Sequence, residues 1–222
     1  MSLTKFWFYF GRLMKQLQLS TTYIFSFVCT FTTAGNTPVP LRSYTTSDSV
    51  DSSAGEECTI WQAARATSAA ATFFDPIKIG NQKFVDGGTG YNNPVELVLD
   101  EAKSIWPDAI QKGRIQCLVS IGTGVPDMKD FGHNLKEVVD TLKAIATQTE
   151  ETEKRFFRNH EFLGIGDRYF RFNVDQGLAG VGLEEHKKID RIEAVTDSYL
   201  RGPRVKKAVD EFRSARAPEA CT

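Results

Sequence analysis

The sequence predicts an α/β fold, a layered and mostly parallel sheet with flanking helices. Three features point that way. Short apolar runs of strand character alternate along the chain with segments whose apolar residues recur at helical spacing. One run, 115–121 (IQCLVSI), is continuously apolar and stops at Gly122-Thr123-Gly124, the pattern of a strand covered on both faces. Finally, Asn93-Pro94-Val95-Glu96 carries a strong helix start, with Asn as N-cap, Pro at the first position and Glu close behind.

In chain order, 23–32 (YIFSFVCTFT) and 39–46 read as two strands joined by the turn residues 34–38. The Ser/Thr/Asp/Gly tract 43–57 has almost no apolar content and reads as a surface loop. Residues 59–71 (TIWQAARATSAAA) form a helix candidate whose small, Ala-rich face suits close packing on a sheet. Two short alternating segments around Gly80-Asn81, within 77–85, have the signature of a hairpin. The next helix runs from the Asn93 start to Trp106, and the buried strand 115–121 follows. Leu135, Val138, Val139, Leu142, Ile145 and Thr149 recur at helical spacing, so 133–157 is an amphipathic helix. A strand at 169–174 and helices at 184–200 and 203–215, divided by Gly202-Pro203, complete the series.

At about 150 residues per domain, a chain of 222 residues is read as a single domain over 21–216, with 1–20 left without an assignment. The balance of 27 Lys+Arg against 28 Asp+Glu, a net charge of −1, argues against a nucleic-acid partner. The apolar run 6–10 (FWFYF) is interrupted by Arg12 and Lys15, and 23–32 is better read as a strand, so no transmembrane segment is expected. Cys29, Cys58, Cys117 and Cys221 form no CxxC pair, and His133, His160 and His186 are far apart. Neither a metal site nor a cofactor is expected, and the cysteine usage mildly favours a reducing, cytoplasmic setting.

Chemistry is concentrated at Asp86. Its carboxylate follows an apolar strand and precedes Gly87-Gly88, so it is delivered at a strand end where another group can approach closely. There it can serve as a base toward a hydroxyl, or Asp-Gly-Gly can simply be turn chemistry that closes a hairpin. Among other features, Gly122-Thr123-Gly124 and Gly164-Ile165-Gly166 lack the spacing of phosphate-binding loops. Arg65 is open to two readings, a contact to an anionic ligand or a surface or packing arginine. Phe156, Phe157 and Phe162 read as core rather than as a ligand-contacting wall.

Several motifs in series carry a resemblance. Trp61-Gln62-Ala63-Ala64-Arg65-Ala66-Thr67-Ser68-Ala69-Ala70 comes first, then Phe73-Phe74-Asp75-Pro76, then Phe84-Val85-Asp86-Gly87-Gly88, and then Asn92-Asn93-Pro94. Together with Leu118 to Gly124, this order resembles the second half of the patatin-like lipid acyl hydrolases, most clearly over 58–200. The resemblance implies a serine carboxylic-ester hydrolase of the phospholipase A or lysophospholipase type, using a Ser-Asp dyad without histidine or cofactor. Its substrate would be a lipid or phospholipid surface. It assigns Asp86, in the Asp86-Gly87-Gly88 motif, as the proton acceptor. It also implies a serine in G-x-S-x-G and an oxyanion loop rich in glycine.

The chain departs from that pattern, because no serine has glycine both two before and two after it. Ser53 has Gly55 but Asp51, and Ser120 has Gly122 but Leu118, so no nucleophile is assigned. The expectation is a partial domain, lacking its N-terminal side, that keeps the base and does not hydrolyse esters by itself. The alternative is a non-catalytic lipid- or protein-binding module of the same fold, with a partner at an exposed sheet edge.

Overall fold

The structure is a computed structural model and describes residues 25–34, 38–46, 58–70, 73–125, 136–160, 166–178, 181 and 186–216. The unassigned segment 1–20, most of the polar tract 43–57, Phe162 and most of the Gly164-Ile165-Gly166 turn lie outside them. The described residues fall into two compact units, one within 24–115 and 147–164, the other within 116–146 and 165–222.

The first unit is organised by a four-stranded sheet of β1 (Phe27–Thr32), β2 (Pro38–Arg42), β3 (Ile77–Ile79) and β4 (Gln82–Asp86), in the order β2-β1-β4-β3. Every pairing in it is antiparallel. The hairpin expected around Gly80-Asn81 forms, with Ile79 opposite Gln82 and Gly80 at φ +56° in the left-handed region. One face of the sheet meets α1 (Ile60–Ala66). There Leu41, Ala66, Ile79 and Phe84 make a buried cluster bordered by Val28, Val39 and Ile77. The small side chain of Ala66, fully buried, is what lets the helix approach. On β3 and β4, Lys78 stands directly opposite Lys83, both exposed, and β3 is one of the two outer strands of this sheet among the described residues.

Beyond β4 the chain enters one short turn of helix, α2 (Gly88–Tyr91), then the longer α3 (Val95–Ile105), followed by α4 (Pro107–Gln111). The expected Asn93 N-cap gives way to Pro94, and the cap residue makes no side-chain hydrogen bond. Asn93 is instead buried in the approach to the helix. From α3 the Glu101 carboxylate receives two hydrogen bonds from Arg42 of β2, at 2.6 and 2.5 Å, and one from the Tyr44 hydroxyl at 2.7 Å. Burial alone pushes the Glu101 carboxyl up, but the bonds and charge of Arg42 and Tyr44 together outweigh it, so the group titrates below its ordinary range. Stability contributed by a lowered carboxyl is present above its unfolded value and lost as pH falls through the folded one. Glu101→Gln is therefore expected to cost about 2 kcal/mol in urea unfolding at neutral pH, with the gap to wild type closing in acid.

The second unit holds β5 (Leu118–Ile121) and β6 (Tyr169–Phe172), which pair in parallel, with α6 (Ile189–Arg201) and α7 (Pro203–Arg216). Phe170 of β6 meets Phe212 of α7 edge-on, and Gly202-Pro203 divides the two helices as expected. Helix α5 (Lys136–His160) contributes to both units, its residues from Thr147 onward belonging to the first. There Phe156 is buried in keeping with a core role, whereas Phe157 is half-exposed.

The α/β class holds, but the sheets are mixed rather than mostly parallel. Only β5 and β6 pair in parallel among the described strands. Hairpin chemistry at Gly80-Asn81 and a turn before Pro38 force antiparallel neighbours, because a short loop cannot return a strand in the same direction. The expectation that β5 is covered on both faces also fails, since Val119 is 38% and Ile121 is 79% exposed. Hydropathy reads a strand's preference for cover, but it does not show whether a neighbour supplies that cover.

Candidate functional site

Asp86 is the last residue of β4 and pairs opposite Thr30 of β1. Phe84, two residues earlier and on the same face, is wholly buried in the core cluster, so the strand that carries the carboxylate is anchored from below. The Asp86 backbone N–H donates to the Ala69 carbonyl at 3.1 Å, tying the strand end to the segment after α1. Its Oδ1 accepts the Gly88 N–H at 2.7 Å, the local side-chain-to-backbone turn that aspartate favours. Burial pushes the Asp86 carboxyl above its ordinary range, and the Gly88 N–H only partly opposes that shift.

The two glycines are required for different reasons. Gly87 has an ordinary φ of −73°, so left-handed backbone does not explain it. A Cβ there would lie 2.6 Å from the carbonyl carbon and oxygen of Cys29 and 2.7 Å from its Cβ, so β1 presses directly against this Cα. At Gly88 a Cβ would lie 3.2 Å from the Asp86 Oδ1 that its N–H holds. Asp-Gly-Gly therefore does not close a hairpin. It ends a strand, turns tightly under β1 and starts α2, where Gly90 lies against the Phe31 ring.

Cys29 is the other group at this turn. Its carbonyl accepts the Thr67 hydroxyl at 2.8 Å, so the segment after α1 grips β1 as well as β4. Burial first, then the Asp86 charge and that of Glu101, push the Cys29 thiol up to about 11. The thiol form therefore persists at neutral pH, and only the thiolate attacks alkylating agents. In the native chain, Cys29 is expected to react with iodoacetamide far more slowly than in the urea-unfolded chain, as peptide mass mapping after timed labelling would show.

No serine oxygen among the described residues hydrogen-bonds to Asp86. Ser120 is on β5, where its hydroxyl accepts Arg171 Nη1 at 2.7 Å, and Ser53 lies outside the described residues. The Gly122-Thr123-Gly124 turn is taken up by backbone and side-chain ties, with the Gly122 N–H on the Phe172 carbonyl and the Gly124 N–H on Asn173 Oδ1. Arg65 packs as an arginine of the fold, its Nη2 on the Asp75 carbonyl at 2.7 Å and its guanidinium 5.1 Å from the Phe74 ring centre. Among the described residues no three His, Cys, Asp or Glu side chains gather as metal ligands would, and no helix is long and apolar enough to cross a membrane.

The sequence singles out the Asp86-Gly87-Gly88 turn but not Cys29, Thr67 and the Ala69 carbonyl, which brace it. No local signal names these partners, because the contacts depend on which strand lies beside β4.

A strand that ends on Asp86, with its N–H bonded to the segment after an Ala-rich helix, brings together motifs whose order along the chain resembles that of the patatin-like lipid acyl hydrolases. Residues 3–99 of the chain match the model of the patatin-like phospholipase family. The match begins inside the N-terminal segment for which the sequence offered no assignment. Among curated proteins, the chain is 34% identical over 148 residues to the calcium-independent phospholipase A2-gamma of Oryctolagus cuniculus, 64% of this chain and 18% of that protein. It is 34% identical over 147 residues to the Homo sapiens protein of the same name, again 64% and 18%. The phospholipase A I of Arabidopsis thaliana is 32% identical over 157 residues, 68% of this chain and 12% of that protein. The chain thus spans less than a fifth of the length of these relatives.

Proposed function

We propose that this chain carries the acid–base half of a Ser-Asp lipid acyl hydrolase, with Asp86 as proton acceptor, and that it does not turn over esters by itself. In such a reaction the carboxylate takes the proton of an attacking serine hydroxyl as its oxygen bonds to the ester carbonyl carbon. The carbonyl electrons move onto oxygen, and the proton returns to the alcohol that leaves as the tetrahedral intermediate collapses. The observation that carries the reading is the built seat of Asp86: a strand-end carboxylate held by the Gly88 N–H, fixed through Gly87 against Cys29, and raised by burial. A raised carboxyl is a stronger base once ionised, and its base form is lost as pH falls through a value above the ordinary carboxylate range. The inactivity rests on the sequence, in which no serine stands in G-x-S-x-G.

Purified chain is expected to hydrolyse a short-chain nitrophenyl ester no faster than buffer, and Asp86→Ala to leave that background unchanged. Turnover abolished by Asp86→Ala would sink the claim of inactivity and demand another attacking group. A second reading, a non-catalytic binding module of the same fold, draws its support from Val119 and Ile121, whose side chains stand exposed on one face of β5. On that reading Ile121→Lys converts a self-associating chain into a monomer by light scattering, and a chain monomeric in both forms removes it.

A further inference from the structure

We propose that Thr67 is a positioning residue for the Asp86 base, its hydroxyl holding the turn that keeps the Gly88 N–H on the carboxylate. The inference rests on the reading of Asp86 given above and deepens it. Strand geometry shows what the hydroxyl replaces. The Thr33 N–H bonds the Lys83 carbonyl at 3.0 Å, so Thr33 turns its backbone groups toward β4. Backbone direction alternates along a strand, and Phe31 and Cys29 therefore face β4 as well. The β1–β4 pairs end at Thr30 and Asp86, one step before Cys29 would meet Gly87. There the Cys29 carbonyl takes the Thr67 hydroxyl at 2.8 Å. By the same alternation Asp86 turns toward β3, whose first residue, Ile77, pairs with Phe84. Asp86 lies beyond that pair, and its N–H takes the Ala69 carbonyl at 3.1 Å. The run 67–69 thus closes both ladders at the one position that carries the base.

Thr67 can act as a clamp because its own backbone is fixed. It is the C-cap of α1, with its N–H on the Ala63 carbonyl, and Ala69 two residues on is buried with its N–H on the Ala66 carbonyl. From the hydroxyl the constraint runs to the Cys29 carbonyl, against which the Gly87 Cα is pressed. It ends at Gly88, whose N–H holds Asp86 Oδ1 at 2.7 Å. With Oδ1 so engaged, Oδ2 is the freer oxygen to take the proton of an attacking hydroxyl. Of the titratable groups, Cys29 of β1 couples to Asp86, and its thiol, pushed up to about 11, is neutral while a carboxyl titrates. A change in Asp86 on altering Thr67 therefore reports geometry and solvation rather than a neighbouring charge.

The test is nuclear magnetic resonance of the 222-residue chain with Thr67→Val, which keeps the branched shape and removes the hydroxyl, and with Thr67→Ser, which restores one. In wild type the Gly88 amide proton shift is expected to follow the Asp86 carboxyl as it titrates, because the N–H bonds the ionised oxygen. Thr67→Val is expected to cut the amplitude of that linked shift by about half or more, as the N–H leaves the carboxylate. It is also expected to speed Gly88 amide exchange about tenfold relative to the Thr33 amide, at the far end of the same ladder. Thr67→Ser is expected to recover both. Ser68→Ala, whose lost hydroxyl bonds the Ala64 carbonyl within the helix segment, is expected to change neither. A linked shift in Thr67→Val equal to that of wild type overturns the proposal. So does faster exchange at Thr33 and Gly88 alike, which is general destabilisation. If Thr67→Val does not fold, wild type alone decides. Gly88 protection within about tenfold of that at the Asp86 amide upholds the clamp, and Gly88 exchange at the rate of an unstructured peptide overturns it. None of these readouts uses ester turnover, so failure here leaves the role of Asp86 to the nitrophenyl ester assay.

Discussion

Phe84→Ala is expected to lower the free energy of unfolding by about 3–5 kcal/mol, read as a fall in the urea midpoint with little change in slope. Phe84 is wholly buried, and it packs between α1 and the sheet against Leu41, Ala66 and Ile79. Truncation removes the transfer free energy of an aromatic ring and leaves a cavity walled by two hydrogen-bonded strands that cannot collapse into it. Against a typical total of about 5–15 kcal/mol for a domain, that loss places the variant near the edge of folding. A midpoint shift worth less than about 1 kcal/mol would mean that the core of this unit lies elsewhere.

The second large effect is expected at Gly87→Ala. The added methyl would sit 2.6 Å from backbone atoms of Cys29, and those atoms are fixed by pairing with β2 and by the Thr67 hydroxyl. Backbone cannot swing aside as a flexible side chain can, so β1 and β4 must part or the turn must re-form. A cost of about 3 kcal/mol is expected, at the upper end for overpacking. The displacement falls on the residue next to Asp86, so the carbon-13 shift of the Asp86 carboxyl should titrate closer to an ordinary aspartate than in wild type. Gly90→Ala is the milder comparison, because its clash is with the Phe31 ring, which can turn. Equal destabilisation by the two substitutions would refute the distinction between backbone and side-chain crowding.

The α/β class and the order of elements were legible because periodicity is a local property. The alternation in β1, the Gly80-Asn81 turn and the helical repeats of α5 each sit within a few residues of one another. Asp86 was legible for the same reason, since a carboxylate followed by two glycines is visible without knowing its neighbours. Contacts made across the sheet were not. Nothing near Cys29 announces that its carbonyl will lie under Gly87, and nothing near Thr67 says that its hydroxyl will hold that carbonyl. The start of α3 was placed one residue early, because Asn93 has the chemistry of a cap but its burial assigned it elsewhere. Helix α4 went unread, although Pro107 followed by Asp108 is a start signal, because Trp106 had been read as the end of the helix before it. The direction of the sheet was misjudged for a related reason: two tight turns join neighbours head to tail, and a count of alternating elements does not register that.

The facing lysines of the β3–β4 hairpin have a consequence for solubility. Lys78 and Lys83 repel within one molecule, a modest penalty on a strand pair that is held by backbone bonds and by Ile77 and Phe84 on the other face. A foreign strand annealing to β3 would set further cationic rows alongside, so the repulsion would mount with each copy while the gain per copy stayed constant. The penalty borne once at home thus becomes a deterrent to fibrous stacking, and added salt, by screening it, should bring that protection down.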